Sequence, residues 1–168
     1  FIPLLALMSW VNYLMHRPLL NLDNPWFLTQ SNASQAAQVM VFLVILLIAL
    51  MGGRVIPMFT ANGTQTRKVA PIAWLEIFTL ITTAITPLIF LFDLRPNNLL
   101  MAALMMSLAL FHMTRLLRWR FWVTYKVPLV WSLHLSYSFL GLGFFLLFVH
   151  YAFQSIAFST ALHLLTVG

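Results

Sequence analysis

The polar positions of this chain are few, and they fall between long apolar runs rather than within them. Six runs approach the roughly 20 apolar residues that a helix needs to cross about 30 Å of hydrocarbon. They cover residues 1–15, 33–51, 70–92, 98–117, 127–149 and 155–168. The first begins at once and the last stops without a polar flank, which gives the expectation of a piece of a longer membrane protein. No run alternates as a barrel strand would. The pattern predicts an all-α, polytopic transmembrane helical bundle of about six spans, forming a single domain over residues 1–168. Gly52-Gly53 reads as the stop of the second span and Asn62-Gly63 as a turn. The residues between them suggest a short stretch lying on the inner membrane surface. The stretch Asn21–Gln35 reads as an outer loop with Trp26 at the interface.

Composition agrees with the pattern. The chain is 62% hydrophobic and 7% charged, far from the quarter charged that soluble domains carry. This excludes a soluble enzyme, a disordered chain and a secreted disulfide scaffold. There is no cysteine, so thiolate metal sites are excluded as well. The net charge is +6. Those cations lie between spans, where they set orientation and meet lipid headgroups rather than nucleic acid. Arg54, Arg67 and Lys68 follow the second span, and Arg115, Arg118, Arg120 and Lys126 end or follow the fourth. Arg17 and Arg95 are alone in their loops. The positive-inside rule therefore places loops 52–69 and 118–126 in the cytoplasm.

Ionisable groups inside spans are costly and mark sites or paths. Glu76, His112, His134 and His163 qualify, whereas His16 and His150 lie near outer ends. Glu76, Thr79, Thr83 and Thr86 share one face of the third span and predict a polar stripe turned into the bundle. His112 ends a stripe with Met101, Met105 and Leu108. His134 shares a face with Ser138 and Gly141, and His163 with Ser159 and Thr166. Imidazole ligates metals and haem iron. Two histidines at similar depth on neighbouring helices, His112 and His134, suit a haem held edge-on. The alternative at each histidine is a plain interhelical hydrogen bond. The Met stripe reads as core packing before it reads as a copper(I) site. Glu76 is either a proton path or a structural carboxyl.

Three blocks then carry a resemblance. Gly52-Gly53-Arg54-Val55-Ile56-Pro57-Met58-Phe59-Thr60 followed by Asn62-Gly63 resembles the signature loop of the NnrS family. Arg115–Arg120 with Trp122, and Pro128–Tyr137, resemble a second family block. His163-Leu164-Leu165-Thr166-Val167-Gly168 resembles the family's closing motif, with Leu164 in place of its usual alanine. The resemblance implies a multi-span protein of the bacterial inner membrane, holding haem and copper and linked to nitric oxide response and nitrosative stress. It implies nitric oxide as ligand or substrate, and further spans of the full-length chain as partners beside the lipid bilayer. With His134 and His163 inside those blocks, it points to haem at His134, with His112 as second ligand by its matching depth alone, and to copper or haem at His163. It singles out Gly52, Gly53, Arg54, Pro57, Thr60, Asn62 and Gly63, and leaves open whether the protein is an enzyme. The rival expectation is a transporter or channel with its polar path along Glu76 and the threonines.

The charge asymmetry yields a direct test. Single cysteines placed in this cysteine-free chain should label from the cytoplasmic side at Arg67→Cys and from the outer side at Arg95→Cys. Cytoplasmic-only labelling of Arg95→Cys would overturn the orientation.

Overall fold

The computed structural model of the chain describes residues 2–16, 33–94 and 96–167. Arg17, Trp26, Arg95 and most of the expected outer loop lie outside the described residues. Among those described there are six α-helices and no strand: α1 (Ile2–His16), α2 (Ala33–Thr64), α3 (Ala73–Leu91), α4 (Asn98–Arg118), α5 (Pro128–Phe153) and α6 (Phe158–Val167). The stretches Ser34–Thr64, Ala73–Leu91, Asn98–Arg118 and Pro128–Phe153 are long and apolar enough to cross a membrane, while Ile2–Tyr13 and Phe158–Val167 are shorter apolar helices.

Helix ends follow local chemistry. Asn97 caps α4, its side chain accepting from the Leu100 backbone N–H at 2.8 Å. Proline opens α5 at Pro128, where its missing N–H costs nothing. Between α4 and α5, Arg120 takes a left-handed conformation (φ 59°) and a short 3₁₀ turn, Phe121–Thr124, follows. Gln154 (φ 53°) ends α5, its N–H bonding the His150 carbonyl at 2.9 Å. This helix runs four residues beyond the expected Val149, because no breaker intervenes before Gln154.

The larger departure is in α2. Gly52-Gly53 does not stop it, and no glycine among the described residues has a positive φ. The helix runs on through Pro57 to Thr64, so the expected surface stretch is helical. Asn62-Gly63 makes no turn either. The turn comes at Gln65 (φ 52°), closed by the Thr66 N–H on the Ala61 carbonyl at 3.1 Å. At 32 residues α2 is about 48 Å long, well beyond the hydrocarbon thickness. The glycines serve close packing instead: a Cβ on Gly63 would stand 2.8 Å from Val130 of α5.

The described chain divides into two compact units. One holds α1, the start of α2 and the end of α3. Val11, Ala36, Val39 and Leu43 form its core, with Leu4, Leu7, Met8 and Phe90 packed against them. Phe42 stacks on Phe90 at 4.9 Å, and the Gln35 side chain donates to the Phe90 carbonyl at 2.7 Å. The other unit holds the rest of α2 and α3 with α4, α5 and α6. Its core includes Met105, Leu108, Phe144 and Leu147, each fully buried. On the stripe expected along α3, Thr79 is buried in this unit and Thr83 and Thr86 in the first.

Gly143 sets the approach of α6 to α5, because a Cβ there would lie 2.5 Å from the Leu165 side chain and 3.3 Å from its backbone nitrogen. Gly143→Val should therefore destabilise the protein by about 1–3 kcal/mol, the usual cost of overpacking. Unfolding in mixed micelles measures it, and an unchanged unfolding midpoint would contradict this packing.

Candidate functional site

The second unit is organised around a buried cation. Arg115, in the last turn of α4, has a side chain only 1% exposed. Its Nε donates to Glu76 Oε1 at 3.1 Å and its Nη2 to Glu76 Oε2 at 2.8 Å. Nη2 also donates to the Ala49 carbonyl of α2 at 3.1 Å, and Nη1 to the Tyr137 hydroxyl of α5 at 2.9 Å. Two parallel bonds from a planar guanidinium to a carboxylate form the strongest kind of ion pair. The Trp119 and Tyr137 rings lie 5.2 and 5.8 Å from the guanidinium carbon, adding cation–π attraction.

This cluster explains the two glycines of α2. A Cβ on Gly53 would overlap Arg115 Nη2 and sit 2.9 Å from Glu76 Oε2, and one on Gly52 would press on the Tyr137 ring at 3.1 Å. Both glycines are the gap through which α4 and α5 reach α2.

The network continues to His112. Its Nδ1 lies 2.8 Å from the Tyr137 hydroxyl, and its ring stacks on Phe144 at 5.4 Å and 15°. Arg115 can only donate, so the Tyr137 oxygen accepts from it. The phenolic proton is then directed to His112 Nδ1, and the neutral ring carries its own proton on Nε2. That tautomer is assigned from the hydrogen bonds.

His134 has the opposite arrangement. It is buried on α5, and its Nδ1 donates to the Val130 carbonyl at 2.9 Å. Its Nε2 lies 3.3 Å from Thr60 Oγ1, whose own proton goes to the Ile56 carbonyl at 2.8 Å. With Nδ1 as the donor, Nε2 is the accepting nitrogen, and the Thr60 hydroxyl that faces it is shared with the Ile56 carbonyl. His134 also lines a cavity of about 580 Å³ with Phe121, Trp122, Tyr125, Trp131 and Ser138.

The expected site residues separate accordingly. His112 and His134 belong to adjacent helices but address different partners. Glu76 is clamped by Arg115. His163 is exposed on α6, and its neighbour on the stripe, Thr166, bonds back to its own helix. Among the described residues no group of three His, Cys, Asp or Glu side chains gathers that would hold a metal ion. Thr60, Gly52 and Gly53 each touch this region, whereas Asn62 is exposed. Sequence reasoning missed Arg115 and Tyr137. In the sequence Arg115 reads with the orientation-setting cations, although it stands three residues inside Arg118, still within the apolar span.

The chain matches the family described as NnrS protein over residues 1–168. No curated protein and no solved structure matches the chain.

The gap reading has a sharp consequence. Glycine to alanine inside a helix ordinarily stabilises by about 1 kcal/mol. Gly53→Ala should instead lower stability by about 1–3 kcal/mol through displacement of Arg115, and by more than Gly52→Ala. Thermal unfolding of the two variants decides it, and a stabilised Gly53→Ala would refute the close approach.

Proposed function

The chain belongs to the NnrS family, and on that premise we propose that it is a haem-holding membrane protein of the nitric oxide response, with His134 as the iron ligand. The observation that carries this reading is the state of the His134 ring. A metal-ligating histidine commonly donates its second ring nitrogen to a backbone carbonyl, which fixes the tautomer and frees the other nitrogen's lone pair. The Val130 carbonyl has that role here, at 2.9 Å from Nδ1.

The surroundings suit a flat, mostly apolar group. The cavity beside His134 measures about 580 Å³, and its wall includes Leu116, Leu117, Phe121, Trp122 and Trp131. The segment that forms much of that wall also carries Arg120 and Lys126, cations that complement the carboxylates of a haem. Bound iron supplies a coordination position for nitric oxide, a small neutral gas that partitions into the membrane interior. The chain's own residues do the remaining work. Val130 orients the ligand ring, Thr60 stands at the other ring nitrogen and would give up that contact to the iron, and the aromatic wall excludes water.

His112 takes a supporting part in this reading, as an N–H donor packed on Phe144 rather than a second ligand. Copper at His163 is a separate proposal, and its other ligands would come from outside the described residues. Glu76 is read as a tether, because an arginine interposed between it and Tyr137 keeps its protons and passes none on.

Haem content separates the histidines. In the full-length protein, His134→Ala should lose most of its Soret absorbance per chain, and His112→Ala should retain it. Retention in His134→Ala together with loss in His112→Ala would reverse the assignment, and retention in both would remove it.

A further inference from the structure

Beside the Arg115–Glu76 pair lies a smaller cavity of a different character. Its volume is about 120 Å³, and its walls come from α2, the segment before α3, the start of α3, and the end of α4. Arg54, Lys68 and Arg118 all line it, together with the Arg115–Glu76 pair and Trp119. Three cations from three separate parts of the chain therefore converge on one concavity.

Their charges are not cancelled locally. Among the described residues Glu76 is the one carboxylate on the wall, and Arg115 holds both of its oxygens. Arg118 spends one N–H on the Ala70 carbonyl at 3.2 Å. Among the described residues no carboxylate pairs with Arg54, Lys68 or Arg118. Arg54, Lys68 and Arg118 are all exposed, so their charges stand at the mouth of the recess, where like charges repel one another. An anion entering it relieves that repulsion and gains charge-assisted hydrogen bonds from all three donors. The volume admits a few water molecules or one oxyanion of phosphate size.

We propose that this recess is an oxyanion site, with Arg54, Lys68 and Arg118 gripping a phosphate group. The same chemistry serves a lipid headgroup or free inorganic phosphate. It is independent of haem binding, since none of the three cations lines the cavity beside His134.

The test uses the full-length protein and two probes. Phosphatidylglycerol is followed by native mass spectrometry from nanodiscs of mixed phosphatidylglycerol and phosphatidylcholine, and radiolabelled inorganic phosphate by equilibrium dialysis in neutral detergent. The variants are Lys68→Gln, Lys68→Gln with Arg118→Gln, and the control Arg67→Gln, a neighbouring exposed cation that does not line the recess. Lys68 is itself exposed, so its single variant should fold and keeps the test open should the double variant not. We expect one probe or both to bind the wild type and the control alike, and to bind Lys68→Gln about tenfold more weakly, the size of one lost charge-assisted hydrogen bond. Binding of phosphatidylglycerol alone assigns a lipid headgroup, and binding of inorganic phosphate assigns a free anion. Failure of both probes to bind the wild type, or equal losses in Lys68→Gln and Arg67→Gln, would overturn the proposal.

Discussion

A guanidinium placed among apolar helices has to be answered on every side, and the second unit is built around that requirement. An unpaired arginine at membrane depth costs about 3 kcal/mol even on lenient scales. Arg115 avoids this by committing four of its bonds: two to Glu76 on α3, one to Ala49 on α2 and one to Tyr137 on α5. Each partner lies on a different helix, so satisfying the charge also fixes where those helices meet. The absence of side chains at Gly52 and Gly53 follows from the same demand, because the guanidinium and the Tyr137 ring occupy the space their Cβ atoms would take.

The knot also orders what lies around it. Tyr137 is three residues beyond His134 on α5, so anchoring its hydroxyl to Arg115 sets the rotation of the helix that presents His134 to Thr60. On the other side the phenol reaches His112 and directs its tautomer. A chain of hydrogen bonds thus runs from Glu76 to His112, yet it is not a proton wire, since the guanidinium in its middle does not give up a proton. The arrangement is one of positioning. It leaves one histidine between the Val130 carbonyl and the Thr60 hydroxyl beside a large apolar cavity, and the other bonded to Tyr137 in a packed core.

Much of this was legible in the sequence, and the rest was hidden for identifiable reasons. Apolar run length located α3 and α4 closely, because a span's length is set by the bilayer and not by tertiary contacts. The inward face of Thr79, Thr83 and Thr86 followed from helical periodicity alone. The glycines misled because a helix stop and a close helix approach use the same residue, and only the partner distinguishes them. No sequence rule announces that Arg115 and Tyr137 will converge on Gly52 and Gly53 from two other helices. His112 and His134 looked equivalent by depth, whereas their difference resides in single hydrogen bonds to Tyr137 and to the Val130 carbonyl.

The central claim is that the Arg115–Glu76 pair acts as one unit holding these helices together. A double-mutant cycle with Arg115→Met and Glu76→Gln, read as unfolding free energy in mixed micelles, measures it. Each single change strands a partner at depth and should cost about 3–5 kcal/mol, while the double variant strands neither charge. The account predicts a double-variant loss smaller than the sum of the single losses by about 2–3 kcal/mol. Additivity to within about 0.5 kcal/mol would contradict it.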